Sequence, residues 1–286
     1  CNDNRAISST GSSNGGTICI TGTNVTVDKS SFHKTHALIS GGAIFATGNN
    51  VTISDTSFAN CNVSMEIADT GKTYVNGGGA IYVLGNSSNI INCTFENTNG
   101  REGGALYIQG NNVTIENITS TSTNAKNGGS IYVSGQNAMI LDSNITQAQA
   151  KNNGGGLNIV GNHVEVINCT VEDCTSGSNT ELGHGAGVYI SGNGVDIEDS
   201  RFKNCIALFE DLDAEKGSQG GAIYVAGNDV EIINDTIEEC LAYQAGGVYI
   251  LGNNALINMS SFTSNNGSDD GGIEDRKSGS AGMPRP

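Results

Sequence analysis

Acidic residues at equivalent points of a repeating pattern are the first candidates for chemistry. Glu165, Asp196 and Glu231 occupy one such position in three successive repeats, and Glu198 lies close to them in the chain. Carboxylates held at a defined separation could hydrolyse a glycosidic bond or bind a divalent cation. Cleavage by elimination would also need a basic proton acceptor, and no Lys or Arg lies on these segments. We therefore expect a solvated acidic face rather than an active site.

Metal-binding patterns are weak elsewhere in the chain. The segment Asp211–Gly217 resembles the start of a calcium loop, but it lacks the bidentate Glu that such a loop needs later. His33, His36, His163 and His184 are scattered and show no ligand spacing. We predict no metal, no cofactor and no catalytic residue.

Cysteines also recur at equivalent positions. Cys174, Cys205 and Cys240 fall at the same point of three consecutive repeats, so stacked repeats would bring neighbouring Cα atoms to about 5 Å, within disulfide range. We predict one bond, either Cys174–Cys205 or Cys205–Cys240, but not both. Cys93 and Cys169 share another position and are expected to be buried thiols.

These residues are carried by a short phrase that returns along the chain. The segment 79–86 has the sequence GAIYVLGN, and segments 104–111 and 221–228 read GALYIQGN and GAIYVAGN. Successive closing glycines in the middle of the chain are Gly85, Gly110, Gly135 and Gly161, a period of 25 or 26 residues. Such a period indicates a solenoid with one coil per copy.

One coil, from Gly42 to Cys61, predicts three short strands separated by polar corners. Ile44 and Ala46 alternate with outward residues, a Gly-Asn-Asn turn follows, and two further alternating segments complete the coil. The sequence therefore predicts an all-β fold, a right-handed single-stranded parallel β-helix of about nine to ten coils. The asparagines that follow the closing glycines should form a stacked ladder.

The β-helix is predicted to occupy residues 1–273, with 274–286 as a flexible tail or linker. Three longer repeats place their extra residues after the third strand and should therefore leave one edge of the rod. These insertions are Cys61–Asn76, Thr175–His184 and Ile206–Gln219. The residues Gly272 and Ile273 would begin an unfinished coil, and open coil ends favour end-to-end association.

The outward positions of the first strand carry no charge. One column holds small residues and is expected to form an outward shelf: Thr17, Ala43, Ala80, Ala105, Ser130, Gly156, Gly187, Ala222 and Gly247. Beside it runs a column of aromatic residues, the predicted contact face: Phe45, Tyr82, Tyr107, Tyr132, Tyr189, Tyr224 and Tyr249. This face could simply support the sheet, contact another copy of the chain, or stack against a polysaccharide.

Composition limits the partners and the compartment. A formal net charge of −16 argues against nucleic acid and anionic lipid, and no apolar run has the length of a membrane span. Asn-X-Ser/Thr sequons are numerous and predict an extracellular N-glycoprotein. They lie at Asn24, Asn50, Asn62, Asn86, Asn92, Asn112, Asn117, Asn144, Asn168, Asn234, Asn258 and Asn266. Cys1 is expected to be a cleavage boundary or a lipid-anchored terminus, and it could pair with Cys19.

The repeat resembles a known family of surface proteins. The Gly-Gly-Ala-Ile phrase is followed before the next copy by Phe-X-Asn or Phe-X-X-Asn, as at Phe95–Asn97, Phe202–Asn204 and Phe262–Asn265. This pattern is similar to the repeats of polymorphic outer-membrane proteins and of adhesin-like surface β-helix proteins. The resemblance implies a β-helix exposed on a cell surface, with a role in adhesion or envelope architecture.

Sequence alone thus predicts a non-catalytic extracellular glycoprotein rod. Its role would be that of a building block of a filament or coat, or the stalk of an adhesin, self-associating through the tyrosine face, the coil ends or both. The expected partners are copies of itself, with surface glycans as a further possibility. The alternative is a β-helix that binds polysaccharide or degrades it in the manner of a pectate lyase.

Overall fold

A computed structural model of the chain describes residues 5–6, 14–64, 77–178, 181–208, 217–268 and 273–275. Every regular element in this part of the chain is a β-strand, and every named strand pair is parallel. Consecutive strands of each sheet come from consecutive repeats, so the chain is a parallel β-helix. The predicted fold class is confirmed.

The first sheet has ten strands and the second sheet has nine. The first sheet comprises Ile18–Ile20, Ile44–Ala46, Ile81–Val83, Leu106–Ile108, Ile131–Val133, Leu157–Ile159, Val188–Ile190, Ile223–Val225, Val248–Ile250 and Ile273–Asp275. The second comprises Thr26–Asp28, Thr52–Ser54, Asn89–Ile91, Thr114–Glu116, Met139–Leu141, Glu165–Ile167, Asp196–Glu198, Glu231–Ile233 and Leu256–Asn258.

The third sheet also has nine strands. They are Ser31–His33, Ser57–Ala59, Thr94–Glu96, Thr119–Thr121, Asn144–Thr146, Thr170–Glu172, Arg201–Lys203, Thr236–Glu238 and Ser261–Thr263. A fourth set of two-residue strands follows them, in one group of three and one group of six. Its members are Arg5–Ala6, His36–Ala37, Asn62–Val63, Asn124–Ala125, Gln149–Ala150, Thr175–Ser176, Ile206–Ala207, Leu241–Ala242 and Asn266–Gly267.

The fourth set corrects the predicted three-strand coil. Its strands are only two residues long, too short for an alternating pattern to reveal them in the sequence. Each predicted insertion contains one strand of this set, Asn62–Val63, Thr175–Ser176 or Ile206–Ala207, so its extra residues come after the fourth set and not directly after the third strand. Residues 65–76, 179–180 and 209–216 of those insertions lie outside the described residues, as does the predicted tail beyond Asp275.

Each coil turns at residues in the left-handed backbone region. In one coil these are Asn112, Asn117 and Ser122, with φ between 49° and 54°, followed by Gly128 with φ of 60°. Asn, Asp and Gly tolerate this conformation better than other residues do, which accounts for their abundance in the sequence. A left-handed corner therefore precedes each strand of the coil.

The predicted asparagine ladder is present at the turn after the first sheet. The backbone N–H of Asn111 donates to Asn86 Oδ1 at 2.8 Å, and that of Asn253 donates to Asn228 Oδ1 at 2.9 Å. Each side chain thus satisfies a turn amide of the next coil, which would otherwise lack a partner. The ladder locks neighbouring coils in register.

The interior is filled by stacked apolar side chains. Ile81, Val83, Ile90 and Phe95 of one coil are all buried in a single core cluster. The rings of Phe32, Phe58 and Phe95 stack nearly parallel, with centroids 5.0 and 5.1 Å apart. The predicted interior columns are confirmed, and only the terminal coils leave members half-buried.

The column of small residues lies inside the rod, which corrects its predicted place on the surface. Ala43, Ala80 and Ala105 have no exposed surface and belong to the core cluster. A Cβ on Gly187 would lie 2.8 Å from Phe202 Cδ1. At this corner the small residue and the strand residue after it both face inward, so the usual alternation of a strand is broken. A side chain from the third sheet, such as Phe202 beside Gly187, fills the space next to the small residue.

The closing glycines provide a direct test of coil stacking. A Cβ on Gly110 would overlap the carbonyl oxygen of Gly85 in the preceding coil. Gly110→Ala should therefore lower the free energy of unfolding by about 1–3 kcal/mol, the usual cost of overpacking, measured by urea denaturation. Gly22→Ala is the matched control, because its nearest neighbour would be Val25 Cγ2 at 3.5 Å. Equal losses in the two variants would contradict the proposed contact.

Candidate functional site

The first sheet carries a column of aromatic rings on its outer face, in two stacked groups. Tyr82, Tyr107 and Tyr132 are paired in register, with ring centroids 4.6 and 5.1 Å apart. A second group begins at Tyr189, which stacks on Tyr224 at 5.0 Å. Tyr224 in turn stacks on Tyr249 at 5.5 Å. The structure thus brings the predicted aromatic residues together.

Most of these rings are nevertheless buried, which limits the predicted contact face. Tyr82, Tyr107, Tyr224 and Tyr249 are each less than a tenth exposed. Each ring covers its neighbour, and the Tyr107 ring lies against Gly77, where a Cβ would come within 2.7 Å. The aromatic surface that remains for a partner belongs to three half-buried side chains, Phe45, Tyr132 and Tyr189.

A ladder of polar side chains borders one part of the aromatic column. Asn127 Nδ2 donates to Glu102 Oε2 at 3.0 Å. Burial raises the pKa of the Glu102 carboxyl, while the hydrogen bond from Asn127 acts to lower it. This carboxylate in turn contributes to raising the pKa of Tyr107 and Tyr132, after the larger effect of burial. Tyr107 and Tyr132 are therefore protonated and neutral.

His184 continues this polar border beside the second group of tyrosines. Its ring lies 5.0 Å from that of Tyr224, and its Nδ1 accepts the backbone N–H of Gln219 at 3.1 Å. Burial lowers the pKa of His184 to about 4, so the imidazole is neutral with its proton on Nε2. His184 thus packs against the aromatic column as an uncharged ring.

The aromatic column is interrupted at one coil, by Asn158. This residue pairs with Tyr132 on one side and with Tyr189 on the other. Its side chain is 3% exposed and donates through Nδ2 to the Asn153 carbonyl at 3.3 Å, while Oδ1 has no hydrogen-bond partner in the part of the chain that the structure describes. The sequence shows Asn158 as the odd member of the column, but it does not show that its carbonyl is buried and unpaired.

The acidic column lies on the outer face of the second sheet, as expected. Glu165, Asp196 and Glu231 are directly paired across three strands. Partial burial and then the neighbouring carboxylates Glu231 and Glu165 raise the pKa of Asp196. In the described part of the chain, no group of three His, Cys, Asp or Glu side chains could hold a metal ion. The calcium-like segment lies outside the described residues except for Gly217.

Cysteines stack at one inner corner, as the repeat spacing predicted. Cys174, Cys205 and Cys240 are buried free thiols, and the Cys205 backbone N–H donates to Cys240 Sγ at 3.4 Å. Hydrogen bonds with the Cys174 and Cys240 thiols, together with burial, raise the pKa of Cys205 well above its ordinary value. The disulfide predicted among them is not formed in this structure.

Two further cysteine predictions concern buried thiols and a bond to Cys1; the first is confirmed and the second stays a prediction. Cys93 and Cys169 are buried thiols, and each Sγ donates to backbone carbonyl oxygens. Cys19 is an exposed free thiol, and its proposed partner Cys1 lies outside the described residues.

Asp235 is a buried acid that the sequence analysis did not single out. It occupies the inner corner position held by Ser200 one coil earlier and is 1% exposed. Its Oδ1 accepts the Ser200 backbone N–H at 2.7 Å, while Oδ2 has no partner among the described residues. Burial raises the pKa of Asp235 to about 7 from an ordinary 3.8. The signal in the sequence was an acid at a position otherwise filled by Ser, Thr, Cys and one Ile.

This buried acid makes stability depend on pH. Because the folded-state pKa is raised, the folded chain holds a proton that the unfolded chain releases, and stability falls as pH rises between about 4 and about 7. Asp235→Asn keeps an acceptor for Ser200 and has no charge to bury. It should be more stable than the parent chain by about 2–4 kcal/mol at pH 8, with the difference vanishing near pH 4.

Thermal unfolding at a series of pH values measures this effect. Asp229→Asn is the matched control, because it also removes one carboxylate but at an exposed corner. A pH-independent gain in Asp235→Asn, or an equal gain in the control, would contradict a buried ionisable Asp235.

The disulfide prediction has its own test in oxidative refolding. We expect peptide mapping under non-reducing conditions to show one bond that includes Cys205, because stacked coils place the Cα atoms about 5 Å apart. Cys205→Ala should abolish that bond, whereas Cys93→Ala should not. Recovery of all three corner thiols unpaired after refolding would reject the prediction.

The left-handed corners also explain why sequons are so common in this chain. Seven sequon asparagines are corner residues with positive φ: Asn24, Asn50, Asn92, Asn112, Asn117, Asn168 and Asn234. At such a corner the Asn precedes one inward residue and then an outward Ser or Thr that begins a strand, as in Asn117-Ile118-Thr119. The fold therefore favours the triplet for structural reasons, and glycan attachment stays a prediction.

Comparisons with known proteins add little to this site. No protein-family model matches the chain, and no curated protein matches its sequence. Among solved structures, the crystal structure of PfbA, a surface adhesin of Streptococcus pneumoniae, is similar over 88% of this chain and 82% of that chain, with 11% identity and a TM-score of 0.40. The β-helix assignment here rests on the paired sheets themselves. Within the described residues, no helix has the length and hydropathy to cross a bilayer.

Proposed function

We propose that this chain is a non-catalytic structural rod of an extracellular surface, which associates with further copies of itself through the outer face of the first sheet. That face consists of the aromatic column and the outward column after it: Thr21, Thr47, Leu84, Gln109, Ser134, Val160, Ser191, Ala226 and Leu251. Such a rod would serve as the building block of a filament or coat, or as the stalk of an adhesin.

The distribution of charge among the faces is the observation that carries this proposal. The first nine strands of the first sheet present no charged side chain. The second and third sheets carry the acids and the ion pairs, including Arg201 with Glu172 at 3.9 Å and with Glu238. With a net charge of −16, two rods repel through most of their surface. The first-sheet face is therefore where copies can approach.

Exposed apolar side chains on this face supply a contact. Leu84 and Val160 are 36% and 40% exposed. Val160 lies one coil from the half-buried Tyr132, and Leu84 lies two coils from Tyr132 on its other side. Apolar surface beside aromatic residues is typical of interfaces. If the exposed sequon residues at the corners carry glycans, these would lie on the edges of the rod and leave this face uncovered.

Introducing a charge on the face tests the proposal. We expect the parent chain to associate with rising concentration in sedimentation velocity and to form rods or sheets visible by electron microscopy. Leu84→Lys should weaken this association about tenfold, because the lysine would have to be desolvated at the contact. Leu256→Lys is the matched control, since Leu256 is similarly exposed on the second sheet.

Two outcomes would reject self-association through this face. One is a parent chain that stays monomeric at millimolar concentration. The other is a loss of association in Leu256→Lys equal to that in Leu84→Lys.

A further inference from the structure

A row of basic residues follows one corner of the rod. Arg101, Lys126 and Lys151 belong to three consecutive coils and lie just before the first-sheet strands of those coils. The Lys126 backbone N–H donates to the Arg101 carbonyl at 2.7 Å, and the N–H of Asn152, next to Lys151, donates to the Lys126 carbonyl at 2.9 Å. Coil stacking therefore sets these three residues in a row with a repeat of about 4.8 Å, which we call the basic corner.

The cations of the basic corner are not paired within the chain. Elsewhere Lys29, Arg201 and Lys203 each have a carboxylate of the same chain nearby, at 3.5, 3.9 and 3.6 Å. In the described part of the chain, no carboxylate forms such an ion pair with any of the three cations at the basic corner. Two of these cations are half-buried and the third, Lys151, is exposed.

Two carboxylates near the basic corner reduce its charge without cancelling it. Glu102 is half-buried and accepts a hydrogen bond from Asn127 at 3.0 Å. Glu181 lies beside Asn152, in the next coil. Three cations against two carboxylates leave the corner positively charged, in a chain whose net charge is −16.

A matching row of acids lies on the other side of the first sheet. The acidic column of Glu165, Asp196 and Glu231 is on the second sheet, which follows the first sheet in each coil, whereas the basic corner precedes the first sheet. These carboxylates are half-buried or exposed, and no Lys or Arg among the described residues forms an ion pair with them. The two rows thus have opposite charge, the same number of members and the same repeat of about 4.8 Å.

We propose that the basic corner of one rod docks on the acidic column of a second copy of the chain, side by side. The basic corner leads into the fourth to sixth coils and the acids lie in the sixth to eighth. In copies that run in the same direction, the rows therefore match when one rod is shifted by two coils, about 10 Å, along its axis. Lys126 then lies opposite Asp196 at the centre of the contact.

This contact repeats from rod to rod, because each copy carries both rows. A contact between two different surfaces of the same chain builds an open array and not a closed dimer. In rods related by translation, the uncharged first-sheet faces all point to the same side of that array. Lateral docking would therefore give a layer with one uncharged face.

An acidic polysaccharide is the other kind of partner that a row of cations could bind. The net charge of −16 repels such a polymer over the rest of the rod, whereas a second copy supplies acids with the matching repeat. Partial burial and then the neighbouring carboxylates Glu231 and Glu165 raise the pKa of Asp196. A cation opposite Asp196 relieves this repulsion, so the contact compensates unpaired charges on both copies.

The inference deepens the proposed function, since it assumes a rod that associates with copies of itself, but it concerns a different surface. All test chains therefore carry Leu84→Lys, which disturbs the first-sheet contact and leaves the basic corner and the acidic column unchanged. We expect this chain to associate reversibly in sedimentation velocity at about 50 mM salt. It should lose most of that association at about 0.5 M salt, because salt screens exposed charges.

Charge reversal at the centre of the contact is the decisive experiment. Lys126→Glu and Asp196→Lys should each weaken the low-salt association about tenfold or more, since each places like charges opposite one another. The double variant Lys126→Glu/Asp196→Lys exchanges the two charges, keeps the net charge, and should recover the association. Glu116→Lys is the matched control for Asp196→Lys, because it makes the same change of charge on the second sheet but outside the acidic column. Circular dichroism confirms that each variant is folded.

The proposal is wrong if the Leu84→Lys chain stays monomeric at low salt and millimolar concentration. It is also wrong if Asp196→Lys associates as strongly as Glu116→Lys, or if the double variant associates no better than the single reversals. Binding of hexagalacturonate that is lost in Lys126→Glu, with association unchanged by both reversals, would assign the corner to an acidic polysaccharide. None of these results bears on the first-sheet contact, which is tested by comparing Leu84→Lys with the parent chain.

Discussion

The whole structure depends on the direct contact of one coil's backbone with the next. At the closing glycines there is no room for a Cβ, because the carbonyl of the preceding coil occupies that space. The left-handed corners return the chain to the same place in every repeat, and the asparagine ladder holds it there. Once these contacts are set, every other residue is placed above its equivalent in the previous coil.

Stacking in register turns single residues into columns with their own chemistry. An apolar residue becomes part of a continuous core, and the phenylalanines stack face to face. The same geometry also places like charges next to one another, as at the paired acids Glu165, Asp196 and Glu231. Asp235 shows the effect of one different residue in an inner column. Its carboxyl lies where the previous coil has a serine, and burial there raises its pKa.

The aromatic column illustrates how a surface can be buried by its own members. Six tyrosines face outward from the first sheet, yet four of them are almost fully covered. Stacked rings shield one another, so the surface that stays exposed on this uncharged face comes from outward aliphatic side chains and from the half-buried Phe45, Tyr132 and Tyr189.

The sequence by itself determined the period, the inner columns, the asparagine ladder and the alignment of cysteines and acids, because each is a property of spacing and residue type. Tertiary structure alone decided which outward residues stay exposed. It placed Ala43 and Gly187 inside, since a corner can direct two successive residues inward and local alternation cannot show this. It also added the two-residue strands, which are too short to show an alternating pattern in the sequence. Finally, it buried the Asn158 carbonyl, because burial depends on neighbours more than 20 residues away along the chain.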